Sequence, residues 1–506
     1  MVLSKERASV SLSQRAISGV AWMFTSSAGL KAVSLLVNLV LARLLVPSDF
    51  GAVALVLGVT GVLQTFAEMG TSVALVQRKD VTASVVDSAF SSTLVVTASI
   101  VICLWAFSHP IASFFDLPVM APLLKIAAIS YFFRGLFSLY RCLLLKEMRY
   151  KEISILAFFG YVIYGCAAMI LAHEGFGPFS LVWGQLVWTV SLFLMGMWRT
   201  RYMPKSLGSL EEMWELVRFG VWVSGARVLR NASANFDRLI IGKFLDASSL
   251  GVYHIAQRIV MFLPGTYTRV IDQVMLPIYA KRQDDLSRVE EGYWKVLSYT
   301  AFILIPPVCL LFVFADPLVP FILGDSWLVV IPVVKIMSLF ALGRALGDGI
   351  FDSVVYALAR PQIVTVMNVF RIIALPACIL LGCRWGLIGL AWAFAAYGVI
   401  GRLFSQWLLK RYFGFSFGRF FSEIFPPFIS ALLATGVALG CIFCLRSVAA
   451  MSQIFGHGVA AFAWVAVYSG SAHVTAPEKV KEIYETLLDF MSRIKGHSFL
   501  RNTRIG

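Results

Sequence analysis

At 506 residues, 59% of them hydrophobic and only 14% charged, with mean hydropathy +0.81, the chain is too apolar for a water-soluble enzyme. Its net charge of +15 does not point to nucleic acid, because the basic residues are spread over short loops and inside apolar segments instead of gathering on an aromatic-bearing soluble face. Composition therefore predicts an all-α polytopic membrane protein.

Lys5, Arg7 and Arg15 precede the first apolar run, Ile17 to Leu45, which is too long for the hydrophobic region of a signal peptide. Counting apolar segments of about 20 residues predicts about 14 transmembrane helices. They fall near 17–43, 49–69, 84–108, 119–142, 152–172, 178–198, 215–242, 251–279, 293–315, 327–355, 362–382, 386–408, 421–445 and 447–470. Basic residues at Arg78 and Lys79, Arg141 to Lys151, Arg199 to Lys205, Lys281 to Lys295, Arg360, and Lys410 to Arg419 alternate onto one side, leaving Arg43, Lys243, Arg384 and Arg446 for the other. That bias predicts a cytoplasmic location for both termini.

Loops between the spans are short, the longest running from about Arg199 to Trp214 and from Ala280 to Gly292, so no soluble catalytic domain fits between them. Neither enzymatic activity nor a cofactor is expected. The eight cysteines lie mostly inside apolar segments without histidine partners and read as small packing residues, including Cys441 and Cys444 one helical turn apart. In the C-terminal tail, Val480, Ile483, Tyr484, Leu487, Leu488, Met491 and Ile494 form an apolar stripe flanked by Lys479, Lys481, Arg493 and Lys495. This is the pattern of a helix lying on an anionic membrane surface.

The stretch RVLRNASANFDRLIIGKFLDASSLGVYHIAQR, Arg227 to Arg258, puts charge into a segment otherwise apolar enough to span. At helical spacing Arg227, Asn231, Ala234 and Arg238 share one stripe, with Arg230 and Asp237 beside it. A charge at the bilayer centre costs roughly 2.5 to 3.5 kcal/mol on insertion scales, so these groups should face a bundle interior or a watery cavity. Asp237 is placed to pair with Arg230 two turns away, but the bases outnumber that single acid and leave charge for another group to neutralise.

The chain also matches itself at a nearly constant offset. Trp22, Arg43, Leu45, Ser48 and Gly51 pair with Trp222, Lys243, Leu245, Ser248 and Gly251, each 200 apart. Pro122, Lys125, Ile126, Arg134 and Leu136 pair with Pro332, Lys335, Ile336, Arg344 and Leu346 at 210, and Gly177, Leu181 and Trp183 with Gly386, Leu390 and Trp392 at 209. Six spans per copy is an even number, which predicts two six-helix lobes related by an axis along the membrane normal. The expected organisation is an amphipathic entry over 1–16, lobes over 17–200 and 215–410, a cytoplasmic linker over 201–214, two extra transmembrane helices over 420–470 and a cytoplasmic tail over 475–506.

Charge inside the spans then gathers as Lys31, Lys125, Arg134, the seventh-span seam, Arg269, Asp272, Lys335, Arg344, Asp348 and Asp352. A cationic central cavity is expected from Lys31, Arg134, Arg227, Arg230, Arg238 and Arg344, the excess of bases suiting an anionic ligand. Lys125 and Lys335 have the alternative of snorkelling to the outer interface, which the deeper Arg134 and Arg344 lack. Asp237, Asp272, Asp348 and Asp352 are the candidates for charge pairing or for coupling to a proton. Asp348 and Asp352 follow Arg344 at one-turn intervals, and permanent pairing with it is the expected role.

At three places the chain resembles the Wzx-type polysaccharide and O-antigen flippases of the multidrug/oligosaccharidyl-lipid/polysaccharide exporter superfamily. These are SLSQRAISGVAW (11–22), ARLLVPSDFGAVAL (42–55) with GTSVALVQR (70–78), and NFDRLIIGKFLDASSLGVYHIAQ (235–257). Asp246 stands where that family often has glycine, which leaves the second outer turn undetermined. The resemblance implies flipping of an undecaprenyl-pyrophosphate-linked oligosaccharide from the inner to the outer leaflet of a bacterial inner membrane, for exopolysaccharide, capsule or O-antigen. Partners would be that lipid-linked substrate, membrane lipids, and a polymerase or export complex. A multidrug antiporter of the same superfamily would want an acid in the first span, where Lys31 and Asn38 stand; a membrane glycosyltransferase or polymerase would need carboxylates beside a sizeable outer loop. A lipid II flippase differs only in cargo.

Overall fold

The computed structural model describes residues 29–30, 33–67, 75, 82–218, 235–447, 453–482 and 485. Every regular element among them is helical, and nine helical stretches are long and apolar enough to cross a membrane, counting Val330–Ala357 as one although a turn divides it, with two shorter apolar ones, Val33–Leu44 and Pro47–Gly61. The all-α membrane architecture follows from the sequence as expected. In hydrocarbon only a helix satisfies its own backbone polar groups, and the outward faces stay oily, with Ile102, Trp198, Phe443 and Phe462 exposed.

The chain packs as two compact units, residues 1–254 with 322–327, and residues 255–321 with 328–506. The first contains α1 (Val33–Leu44), α2 (Pro47–Ala67), α3 (Ala83–Phe114), α4 (Met120–Lys146), α5 (Tyr150–His173), α6 (Pro178–Thr200), α7 (Phe236–Phe244) and the start of α8 (Ala247–Val260). Here α4 packs against α2, α3, α5 and α6, and α2 also meets α7.

Residues matched by the internal repeat meet each other in this unit. A Cβ added to Gly51 in α2 would overlap the Ala247 carbonyl, and one added to Gly251 in α8 would overlap that of Pro47. Small residues permit this backbone approach, as they do between membrane helices generally. The neighbouring pair repeats the exchange. Arg43 Nε donates to the Ile322 carbonyl at 2.8 Å, while Lys243 Nζ donates to the Phe114 carbonyl at 2.6 Å and to Asp116 at 3.0 Å. Asp246 caps α8, accepting from the Ser249 amide at 2.9 Å, so the turn left undetermined by sequence is an ordinary carboxylate-capped helix start.

On the other side of this unit, the linker after α6 is tied to the start of α3. Buried Asp87 accepts from Tyr202 Oη, from Ser206 Oγ at 2.9 Å and from the Ser206 amide at 3.1 Å. Gly208, at φ +73°, lies so close to Ser88 that a Cβ would overlap its side chain. Burial, with the Asp87 carboxylate beside it, pushes the Tyr202 hydroxyl above its usual range and keeps it a donor.

The second unit contains the rest of α8, then α9 (Phe262–Ala280), α10 (Leu286–Leu323), α11 (Val330–Ala345), α12 (Asp348–Ala357), α13 (Pro361–Cys383), α14 (Gly386–Phe413), α15 (Phe417–Ser447) and α16 (Gln453–Thr475). Its core joins Tyr279, Trp294, Phe351, Phe415 and Trp464. The span expected over 251–279 divides into α8 and α9 at Met261, and the one expected over 327–355 divides into α11 and α12 at a turn through Leu346 and Gly347. The C-terminal segment is held by Lys479 on Glu423 and Glu482 on Lys295. None of the eight cysteines forms a disulfide; Cys142 is buried and the others are at least partly accessible.

Candidate functional site

In the first unit, a cavity of about 250 Å³ is lined by Leu57 and Gly61 of α2, Tyr131 and Arg134 of α4, Gln185 of α6, and Asn235 and Arg238 at the start of α7. None of these side chains is acidic. Helical periodicity puts Tyr131 and Arg134, three residues apart, on one face of α4. Gly61 leaves the space open, since a Cβ there would lie 3.0 Å from the Asn235 amide. Asn235 Oδ1 accepts from Arg238 Nη1 at 3.1 Å and holds that guanidinium in place, while Arg238 Nε is buried with no hydrogen-bond partner among the described residues.

Asp237 is buried and turned elsewhere. Its Oδ2 accepts from the Tyr253 hydroxyl at 2.8 Å, and its Oδ1 from the Arg238 amide at 2.8 Å. The cavity therefore presents guanidinium, amide and phenol groups, a set that donates to phosphate oxygens and exchanges hydrogen bonds with sugar hydroxyls.

Of the expected cationic residues, the structure brings Arg134 and Arg238 together. Arg344 lies in the second unit, exposed near the end of α11, with its guanidinium 5.8 Å from the Phe340 ring. Lys31, Arg227 and Arg230 lie outside the described residues, as do the side chains of Asp272 and Asp348. Asp352 lies 4.0 Å from Arg371 of α13. The turn at Leu346 and Gly347 interrupts the continuous helix face on which Arg344, Asp348 and Asp352 were expected. Lys335 pairs with Asp316 at 2.6 Å.

Sequence reasoning passed over Tyr131, Gln185 and Asn235, which carry no charge. A usable signal was present: Gln185 is the one amide side chain in α6, and Asn235 opens the NFDR segment. It also passed over Arg402 in the second unit. That arginine is buried, donating to Tyr293 Oη at 2.8 Å, Ser405 Oγ at 2.9 Å and Gln406 Oε1 at 3.3 Å, with Phe420 stacked at 4.4 Å. Its neutral partners read as a structural anchor.

The sequence profile described as "Polysaccharide biosynthesis protein" matches residues 40–332, more than half of the chain. The chain belongs to the polysaccharide biosynthesis protein family. This family member is 26% identical over 443 residues to the lipopolysaccharide biosynthesis protein WzxC of Escherichia coli (strain K12), covering 86% of this chain and 89% of the relative. It is 22% identical to the teichuronic acid biosynthesis protein TuaB of Bacillus subtilis (strain 168), covering 85% and 90%. Among solved structures it is similar in fold to the lipid II flippase MurJ in an inward closed conformation, with TM-score 0.70 and 14% identity over 90% of this chain and 99% of that one. A multidrug resistance MATE family transporter of the MOP superfamily, in an inward-facing conformation, aligns in fold with TM-score 0.56, at 14% identity, over 75% and 94%. The resemblance to the Wzx-type flippases is borne out.

Proposed function

We propose that this protein flips an undecaprenyl-pyrophosphate-linked oligosaccharide from the cytoplasmic to the periplasmic leaflet of the bacterial inner membrane, for exopolysaccharide, capsule or O-antigen synthesis. The observation that carries this reading is the placing of Arg134 and Arg238 on one cavity whose described lining holds no acid. A pyrophosphate suits two guanidinium forks, and each charge-assisted contact contributes about 1.5 to 3 kcal/mol toward dehydrating it. Gln185, Asn235 and Tyr131 stand ready for the hydroxyls of the first sugar, and the prenyl tail stays in lipid. At about 250 Å³ the cavity suits a head group and not a whole repeat unit, so transport requires it to widen as two six-helix lobes alternate in access. Lys31, Arg227, Arg230 and Arg344 are proposed to extend the cationic path, with about 14 spans and both termini cytoplasmic. WzxC, named for lipopolysaccharide biosynthesis, and ExoT of Rhizobium meliloti (strain 1021), named a succinoglycan biosynthesis transport protein, support a polymer-precursor cargo.

The test is a deletion strain complemented with wild type or with Arg134→Ala and Arg238→Ala. Loss of the gene should leave an undecaprenyl-linked oligosaccharide on the inner leaflet, and both variants should insert yet fail to relieve it. Accumulation of lipid II instead would assign the cargo to cell-wall synthesis.

A further inference from the structure

The second unit holds a groove of about 280 Å³ between α9 and α10, at the loop that joins them. Ile271, Met275 and Val296 give it an oily wall, and Arg282, Arg288 and Lys295 also line it. Its depth follows from helix length. The 38 residues of α10 extend about 57 Å at 1.5 Å per residue, against a hydrocarbon core of about 30 Å, so the helix projects well beyond the core. Beyond Lys295 it carries no charge until Asp316, which puts Arg288 and the loop at head-group level and leaves Ile271 and Met275 at the depth of the chains. One groove thus crosses the interface, cationic at its loop end and oily further in.

The charges are incompletely matched. Arg288 Nε is 3.0 Å from Asp285 Oδ2, both exposed, and Lys295 is held by Glu482 of the C-terminal segment. Arg282 has no carboxylate within 4 Å among the described residues. The hydroxyl of Tyr279, a residue only 1% exposed, lines the same groove with no hydrogen-bond partner among the described residues. An unmatched guanidinium, an unsatisfied buried hydroxyl and an apolar wall together suit a molecule with a phosphate at one end and a hydrocarbon chain at the other.

We propose that this groove is a binding site for an anionic phospholipid of the surrounding leaflet, its phosphate on Arg282, Arg288 and Lys295 and its chain along Ile271, Met275 and Val296. Glu482 occupies Lys295 until the lipid phosphate replaces it, so lipid binding and docking of the C-terminal segment compete. The site is separate from the Arg134 cavity and does not depend on which cargo is flipped.

The experiment is native mass spectrometry of the full-length protein titrated with phosphatidylglycerol, and separately with phosphatidylcholine of the same chains. Phosphatidylglycerol should be retained preferentially. Arg282→Gln with Arg288→Gln should lower its apparent affinity about tenfold, Glu482→Gln should raise it severalfold, and inorganic phosphate should leave it unchanged. Equal retention of the two lipids would overturn the proposal as a merely greasy surface. Displacement by inorganic phosphate would overturn it in favour of a soluble-anion site. Should the double variant fail to purify as a single species, Glu482→Gln decides alone, an unchanged affinity sinking the competition and the site with it.

Discussion

The Tyr253 hydroxyl donates to Asp237 Oδ2 over 2.8 Å, joining the first turn of α7 to α8 with both residues buried. Removing the donor strands a buried carboxylate oxygen, which costs about 1 to 3 kcal/mol. Tyr253→Phe should therefore lower the thermal unfolding midpoint in detergent clearly. Asp237→Asn, which keeps an acceptor, should lower it less; equal losses would show that the carboxylate charge, and not an acceptor alone, is needed.

Flipping should respond differently. Arg134→Ala and Arg238→Ala should each reduce the rate in proteoliposomes by about tenfold or more, the equivalent of one charge-assisted contact, with little change in melting. Arg238→Lys should recover part of the loss, because it keeps the charge and not the planar fork that Asn235 holds.

The linker after α6 offers a stability test away from the cavity. Asp87→Ala removes the common acceptor of Tyr202 and Ser206 and should cost about 3 kcal/mol or more, with residues 202–208 becoming protease-sensitive. If the linker stays protected, its docking rests on Ser88 and Glu212, which bond at 2.6 Å.

Docking of the C-terminal segment should depend on pH. The Lys295 hydrogen bond holds the Glu482 carboxyl below its usual range, with the charge of Lys479 adding to the effect. A depressed acid contributes stability above its unfolded pKa and loses it as pH falls through the folded one. Hydrogen exchange at residues 477–482 should accordingly be slow at neutral pH and rise below the ordinary glutamate range. In Glu482→Gln it should be faster at neutral pH and should lack the acid step that Glu482 contributes.

How much of this was readable beforehand differs from helix to helix. The span expected over 119–142 is α4, Met120–Lys146, because Pro118 before it and Lys146 at its end punctuate a run whose mean hydropathy stays high despite Lys125, Arg134 and Arg141. The breaks at Met261 and at Leu346 were not readable, since hydropathy is averaged over a window longer than the single turn that interrupts each helix. The same holds for the site. Arg134 and Arg238 stood out because charge in a span is costly, whereas Tyr131, Gln185 and Asn235 cost little and gave little sign. Asp352 was read with Arg344 because both lie on one stretch of chain, and a neighbour such as Arg371 on another helix is visible only once the chain is packed.

The glycine crossing of the first unit bears on how mutation acts there. Gly51 lies against Ala247, and Gly251 against Pro47, so each position in one copy meets the counterpart of its own partner in the other. That reciprocal pattern is the signature of a two-fold homodimer contact, here drawn inside a single chain. In a homodimer one glycine serves both sides of such a contact, and a single mutation strikes it twice. Within one chain Gly51 and Gly251 are separate positions, so a mutation replaces one of them at a time. A larger residue at position 51 meets the backbone carbonyl of Ala247, which no side-chain change there can relieve, and since a Cβ on Gly251 would lie 3.0 Å from the Gly51 nitrogen, the two crossings are disturbed together.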